Sequence, residues 1–189
     1  MGLEGILLYS VRAIRFALAV ELCWLLGYAV AARGWSQACR RQQKRWFWPR
    51  SIFVGYMAAL LQITVVRSGI DWQNIWQLHD AGTVQLIPLY YTWQQLDVGW
   101  WNFIYPVCGN ILWFVPFGFL LPCLGNGLKR WQTVLVCGLL LSFGIECLQW
   151  IFGSGVSDID DIIFNGMGAL LGYWIGAACR KNSKNFFVL

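Results

Sequence analysis

Residues Trp131–Phe152 read WQTVLVCGLLLSFGIECLQWIF, an apolar run in which Glu146 is the only charged residue. A helix of this length is about 33 Å long, enough to cross the ~30 Å hydrocarbon core of a bilayer. On a helix, its polar and small residues form one stripe at three- and four-residue steps, made up of Gly138, Ser142, Glu146, Gln149 and, just after the run, Gly153. The run therefore predicts a membrane-spanning helix with one carboxylate inside it.

The composition of the whole chain supports the same interpretation. Hydrophobic residues make up 58% of the 189 residues, charged residues make up 12%, and the mean hydropathy is +0.53. Soluble domains carry about 45–50% apolar and about 25% charged residues, so this chain has too few charges to cover a soluble surface. The net charge of +5 does not indicate nucleic-acid binding, because the basic residues lie in short clusters between apolar runs. We expect an all-α integral membrane protein in contact with membrane lipids.

Four further apolar runs approach the length of a membrane span. They predict about five transmembrane helices in a single bundle, and one domain over residues 1–189. The predicted spans are Ile6–Ala32, Ser51–Val66, Phe103–Leu124, Trp131–Phe152 and Ile159–Cys179.

The long connection over residues 67–102 is too rich in aromatic residues for a free loop. Trp72, Ile75, Trp76 and His79 have the spacing of a short amphipathic helix, and Val84–Trp93 is apolar but too short to span. We therefore expect an interfacial or partly re-entrant connection on the outer side of the membrane.

The basic residues indicate the orientation. Of the 14 Lys and Arg residues, 11 lie between spans one and two, between spans three and four, or after span five. Alternating spans place these three regions on one side, and such residues mark the cytoplasmic side. We expect a cytoplasmic C-terminus and an N-terminus outside. The seven cysteines lie in spans or on the reducing side, so no structural disulfide is expected.

Polar side chains inside the predicted spans concentrate near one depth, within about 5–10 Å of the outer ends of spans three to five. Polar groups in hydrocarbon must be satisfied internally, and they mark functional sites by default. We therefore predict an outward-facing polar cavity or binding site. Its candidate residues are Asn110, Glu146, Gln149, Asp158, Asp160, Asp161 and Asn165.

Glu146 is the candidate catalytic residue, because it is the only carboxylate deep inside spans three to five. When ionised it can bind a cation or accept a proton, and when neutral it can donate a hydrogen bond. The carboxylates of Asp158, Asp160 and Asp161 suit Mg²⁺ or Ca²⁺, but they equally suit the cap and first turn of a helix. We predict no metal ligands and no cofactor, with a divalent cation at these aspartates as an alternative.

Glycine and proline indicate how the spans pack. Gly168, Gly172 and Gly176 recur at four-residue steps and allow a close helix neighbour, for which we expect span four. Pro116 lacks an N–H group, so we expect a kink around Pro116 and Gly118. The glycine ladder is more typical of packing than of substrate contact, whereas the kink suits a structural bend and a functional hinge equally.

The buried carboxylates require counter-charge, because an uncompensated charge in the membrane is costly. Arg12 and Arg15 lie at a similar estimated depth in span one. We therefore expect one of them to approach Glu146, Asp160 or Asp161.

Three blocks of sequence, in this order, resemble the VanZ-like family of membrane proteins. The blocks are NILWFVPFGFLLP at 110–122, SFGIECLQ at 142–149 and DIDDIIFNGMGALLGY at 158–173. Weaker similarity at 64–68 and 84–88 extends the resemblance to about residues 51–176. Members often carry an arginine just before the acidic run. This chain has Gly153-Ser-Gly-Val there, which makes Arg67 a third candidate charge partner.

The resemblance implies a protein of the bacterial cytoplasmic membrane with a role in low-level resistance to teicoplanin and related lipoglycopeptides. No accepted catalytic mechanism comes with the family, so the resemblance assigns no catalytic residue.

Three functions are compatible with the sequence. The first is a cell-envelope protein that binds or acts on a lipoglycopeptide or a lipid-linked envelope precursor at the outer leaflet. The second is a membrane enzyme with a carboxylate-centred site, with or without a divalent cation. The third is a non-catalytic partner of an envelope assembly, in which the polar residues only hold the helices together.

Overall fold

The computed structural model describes residues 3–66 and 84–186, and nearly all of these residues are helical. Long apolar runs form continuous helices, and short segments with Gly, Pro and Ser separate them. The elements in chain order are helix α1 (Leu3–Arg33), helix α2 (Gln37–Leu61), a π-helical turn (Gln62–Val66), strand β1 (Val84–Gln85), helix α3 (Tyr90–Val98), helix α4 (Trp100–Leu120), two 3-10 turns (Leu121–Cys123 and Asn126–Leu128), helix α5 (Trp131–Phe152), strand β2 (Ser157–Asp158) and helix α6 (Ile159–Phe186).

Among the described residues, five helical segments are long and apolar enough to span a bilayer, which confirms the all-α membrane fold expected from the sequence. The largest difference from the expected bounds is at α2, which begins at Gln37 and therefore includes most of the basic residues before span two. Ser36 caps this helix, because its Oγ accepts the N–H of Cys39 at 3.3 Å. The segments are Val11–Arg33, Trp46–Val66, Trp100–Cys123, Trp131–Phe152 and Ile159–Lys181.

Helix α6 makes its most extensive contacts with α4, along the glycine ladder. Gly168 lies against the carbonyl of Ile111 and Gly172 against the carbonyl of Val115, where a Cβ atom would overlap each oxygen. The contacts advance together along both helices, so α4 and α6 run parallel. We expected α5 as the neighbour of this ladder, and that expectation was wrong. A stripe of small residues shows that some helix approaches closely, but it does not identify the helix.

Helix α4 continues through Pro116 up to Leu120, and the kink expected around this proline stays a prediction. Gly118, two residues later, completes the close contact because it lies against the carbonyl of Ala169. Gly176 lies against Phe119 at the far end of the ladder. Gly118 and the ladder thus serve packing, as the sequence suggested.

Helix α5 packs against α6 on another side of that helix. Gly138 of α5 faces the side chains of Ala169 and Phe117, which brings α4, α5 and α6 together. The hydrophobic core lies at this junction and extends to α2, with Leu60, Val65, Phe114, Phe117, Leu121, Val134, Ile145 and Ala169 buried.

Helix α1 lies at the periphery of the bundle, where it packs mainly against α2 and the π-helical turn. Over residues 11–33, most of its apolar side chains are exposed, as expected for a helix that faces lipid. Glu21 is the one acidic residue of α1 beyond its first turn, and it accepts a hydrogen bond from Ser51 of α2. A second intramembrane carboxylate is thus held by the neighbouring helix, far from the polar residues of α5 and α6 in the sequence.

Strand β1 and helix α3 belong to the connection that we expected at the outer surface. Strand β1 pairs in parallel with β2, Val84 with Ser157 and Gln85 with Asp158. We call residues 84–98 the strap, because they cross from this pairing to the start of α4. Its apolar side chains are largely exposed, which agrees with an interfacial position. The amphipathic helix predicted around residues 72–79 lies outside the described residues.

Helix α5 ends at Gly153, whose φ of 58° lies in the left-handed region that glycine adopts without strain. The N–H of Ser154 then bonds the carbonyl of Gln149 at 3.0 Å. This tight ending turns the chain back, so that β2 and the start of α6 lie beside the last turns of α5.

We predict that Gly172→Ala strongly lowers the thermal stability of the purified protein, because the added methyl group would force α4 and α6 apart. Overpacking of this kind costs about 1–3 kcal/mol, and more where backbone atoms are in contact. Gly109→Ala is the matched control, since a Cβ atom at Gly109 meets nothing within 4 Å. Equal melting temperatures for the two variants, measured in detergent, would contradict the close contact.

Candidate functional site

Nearly all of the predicted polar residues meet at one end of the bundle, where α5 ends and α6 begins. We call this group the polar cluster, and it also includes Ser142, Ser157 and Thr92. Its members come from α4, α5, α6, the α5–α6 loop and the strap. They are Thr92, Asn110, Ser142, Glu146, Gln149, Ser157, Asp158, Asp160, Asp161 and Asn165.

Glu146 connects the end of α5 to the loop that follows it. Its side chain is only 5% exposed, and its Oε2 accepts the backbone N–H of Asp158 at 2.9 Å. The backbone carbonyl of Glu146 accepts the hydroxyl of Ser157 at 2.8 Å. No described residue donates to the other carboxylate oxygen, Oε1. Glu146 thus has one oxygen that holds the loop and one that remains available.

Asn165 lies beside Ser142, which is one helical turn before Glu146 on α5. Its Nδ2 donates to Ser142 Oγ at 2.8 Å, and both side chains are buried. The amide oxygen, Oδ1, is buried without a hydrogen-bond donor from the described residues. Leaving a buried carbonyl unpaired costs about 1–3 kcal/mol, so this atom is an energetic exception in the fold.

Asp161 joins α6 to α4, because the Nδ2 of Asn110 donates to its Oδ1. Asp161 is also close enough to Glu146 for an electrostatic interaction between the two carboxylates. The last turns of α5 thus meet the start of α6, with Glu146 near Asp161 and Asn165 beside Ser142.

Asp160 holds the strap on the bundle. The side chain is 1% exposed, its Oδ1 accepts the backbone N–H of Leu89 at 2.6 Å, and its Oδ2 accepts the hydroxyl of Thr92. The sequence did not mark Leu89 or Thr92 as members of the site. Thr92 is a single hydroxyl within an apolar run, which is a weak signal. Pro88 is a stronger signal, because proline favours the second position of a tight turn and so predicts a turn just before Leu89.

Leu89 adopts a backbone conformation that is unusual for a residue with a side chain. Its φ is 62° and its ψ is −3°, and the N–H of Tyr90 bonds the carbonyl of Ile87 at 3.3 Å. These values correspond to the third position of a type II turn, which normally carries glycine or asparagine. The strain of this conformation, about 1–2 kcal/mol, is offset by the hydrogen bond from Leu89 to Asp160.

Gln149 connects α5 to the end of α2. Its Nε2 donates to the carbonyl of Thr64 at 3.0 Å, inside the π-helical turn. A π-helical turn displaces backbone carbonyls from the regular helix pattern, so one of them is available to Gln149. Such turns occur frequently at functional sites.

The three aspartates of the acidic run have different partners and do not share one position. Asp158 accepts the N–H of Asp160 at 2.9 Å, whereas Asp160 and Asp161 bond the strap and α4. Burial raises the pKa of Asp158, the Asp160 N–H lowers it, and the Asp160 carboxylate raises it further. Among the described residues, no group of three His, Cys, Asp or Glu side chains is arranged to hold a metal ion.

The arginines expected as charge partners do not join the polar cluster in the described part of the chain. Arg12 and Arg15 are both exposed on α1. Their position follows from the packing of α1, whose main neighbour is α2 rather than α5 or α6. Arg67 lies outside the described residues.

We predict that Asp160→Asn loosens the strap. An asparagine has one acceptor oxygen where the strap presents two donors, so one buried donor loses its partner at a cost of about 1–3 kcal/mol. The expected result is faster hydrogen exchange over residues 84–98, measured by mass spectrometry in detergent. Asp97→Asn makes the same chemical change at an exposed position of the strap and should leave the exchange rate unchanged. Protection equal to wild type in Asp160→Asn would show that the carboxylate does not hold the strap.

Comparison with known proteins agrees with the blocks noted in the sequence. The profile of the VanZ/LLP1 family matches residues 53–180, which include every residue of the polar cluster. A curated relative, Protein VanZ from Enterococcus faecium, is 36% identical over 77 residues, which cover 39% of this chain and 45% of that protein. The matched region is thus less than half of that relative's length. No solved structure matches the chain significantly. Because the family profile covers about two thirds of the chain and the whole polar end of the bundle, this membrane protein belongs to the VanZ/LLP1 family.

Proposed function

We propose that this protein binds an amphiphilic or lipid-linked molecule at the outer leaflet of the bacterial cytoplasmic membrane, and that this binding contributes to resistance to teicoplanin and related lipoglycopeptides. The observation that carries the proposal is the position of the polar cluster directly beneath the strap. An amphiphile needs a polar site for its headgroup and a lipid-facing surface for its chain, and these two surfaces adjoin here.

The strap supplies the lipid-facing surface. Thr92 is buried against Asp160, whereas Trp93 of the strap and the adjoining Trp100 and Trp101 at the start of α4 are 68–79% exposed. Aromatic side chains of this kind concentrate at the level of the lipid headgroups. The strap thus supports an entry point at the membrane interface, with the polar cluster on its inner side.

The outward orientation of the polar cluster rests on the basic residues at the opposite end of the bundle. Lys129 and Arg130 precede α5, and Arg180 and Lys181 lie near the end of α6, so these basic residues are at the end away from the polar cluster. Positively charged residues favour the cytoplasmic side. This distribution supports a cytoplasmic C-terminus, an outer polar cluster and, for five spans, an outer N-terminus.

We predict that Val156→Cys in a cysteine-free variant is labelled by a membrane-impermeant maleimide in intact cells, and that Lys181→Cys is labelled only after lysis. Both positions are exposed and lie at opposite ends of α6 and the loop before it. The seven native cysteines must be replaced first, since several of them are exposed. The reverse labelling pattern would place the polar cluster on the cytoplasmic side and overturn the proposed orientation.

We predict that Glu146→Gln abolishes the effect of the protein on teicoplanin susceptibility while the protein remains folded. The glutamine oxygen can still accept the N–H of Asp158, so the loop stays attached, but the charge is lost. The measurement is the teicoplanin concentration that inhibits a susceptible host expressing each variant, with membrane abundance and melting temperature determined in parallel.

Glu21→Gln is the matched control for this experiment. It makes the same chemical change at the intramembrane carboxylate of α1, where the glutamine oxygen can still accept the hydroxyl of Ser51. We expect Glu21→Gln to retain resistance. Full resistance in a well-expressed Glu146→Gln variant would refute the role of the carboxylate. Loss of the folded Glu146→Gln protein would instead favour a purely structural role.

A further inference from the structure

Two acceptor oxygens in the polar cluster have no donor from the described residues. The first is Asn165 Oδ1, on a side chain that is 5% exposed. The orientation of the amide is set by its Nδ2, which donates to Ser142. The second is Glu146 Oε1, also on a side chain that is 5% exposed, whose Oε2 is already bonded to the loop. We call Asn165 Oδ1 and Glu146 Oε1 the acceptor pair.

The acceptor pair lies on one side of the α5–α6 contact. Ser142 and Glu146 are four residues apart on α5, so they share one face of that helix, and Asn165 bonds Ser142 across the contact. Asn165 therefore meets α5 about one helical turn from Glu146, which places the two acceptors at neighbouring levels of the same contact. A single nitrogen with several N–H groups can bond more than one oxygen, with each N···O distance at about 2.8 Å.

The chemistry of the acceptor pair selects for a cationic donor. One member belongs to a carboxyl group and the other to an amide, so with Glu146 ionised neither offers a hydrogen to an anion. The nearby carboxylate of Asp158 acts electrostatically on Glu146 and also disfavours a phosphate. A protonated primary amine supplies three N–H donors and the opposite charge.

We propose that the acceptor pair binds the protonated primary amine of an amphiphile. The proposal rests on the proposed function and specifies the headgroup of its substrate class. The amine supplies the donor that Asn165 Oδ1 lacks and brings positive charge to Glu146. The attached chain extends towards the lipid beside the strap.

The test measures the melting temperature of the full chain in phosphatidylcholine nanodiscs at pH 7 with increasing dodecylamine, which is protonated at this pH. Dodecyl phosphate and dodecanol serve as probes with the same chain and a different headgroup. We expect dodecylamine alone to raise the melting temperature, because only it carries cationic donors. Stabilisation by dodecyl phosphate and not by dodecylamine would overturn the proposal.

Two variants test whether dodecylamine binds at the acceptor pair. Asn165→Leu removes the amide oxygen, and Glu146→Gln removes the charge. Each should require at least about tenfold more dodecylamine for the same stabilisation. Asn126→Leu, at an exposed position in the turn before α5, makes the same change at the other end of the bundle and should respond as wild type does. If Asn165→Leu does not fold, the response of Glu146→Gln decides. An unchanged response in the folded variants would refute the assignment.

Ethylamine distinguishes the source of the amine. Stabilisation by ethylamine at similar concentrations would indicate a free soluble amine and overturn the amphiphile, whereas a requirement for the long chain supports a lipid-borne headgroup. The two proposals can fail separately.

If no amine binds and Glu146→Gln still loses resistance, only the identity of the headgroup is wrong. If dodecylamine binds and Glu146→Gln keeps resistance, the amine site stands and the role in resistance is wrong.

Discussion

The backbone contact between α4 and α6 is the constraint on which the polar end of this protein depends. Where Gly168 and Gly172 touch the carbonyls of α4, no side chain separates the two helices, so neither can slide or rotate without collision. Helix α5 runs in the opposite direction and ends beside the start of α6. Residues from three helices, among them Asn110, Glu146 and Asp161, are thereby held at one level. In hydrocarbon this matters more than in water, because misplaced polar groups find no solvent to replace a lost partner.

The sequence predicted the faces of the helices well and their neighbours less well. A period of 3.6 residues determines that Ser142, Glu146 and Gln149 share one side of α5, and the structure places that side against α6 and the end of α2. The neighbour of the glycine ladder was not predictable, because a glycine has no side chain whose size or charge specifies a partner. The exposed positions of Arg12 and Arg15 follow from the packing of α1 against α2. The depth of a residue along one helix does not show which helix lies beside it.

The partners of Asp160 illustrate a second limit of sequence reasoning. One of them is a backbone N–H group, which every residue except proline possesses, and it lies 71 positions earlier in the chain. No residue type marks such a donor. The carboxylate itself was predictable as a site residue, since a buried charge must have partners. Which segment supplies those partners depends on the path of the strap, and that path is set by the pairing of β1 with β2.

Leu89 keeps an apolar side chain on the strap although its backbone conformation is unfavourable for a residue with a Cβ atom. A glycine at this position would adopt the same φ of 62° without strain, yet it would remove a side chain that is 53% exposed. The leucine therefore presents an apolar side chain on the surface of the strap, while its N–H bonds Asp160 in the first turn of α6. A substitution that moved this residue out of the left-handed region would withdraw its N–H from Asp160, so the backbone limits which residues position 89 can hold as much as the side chain does.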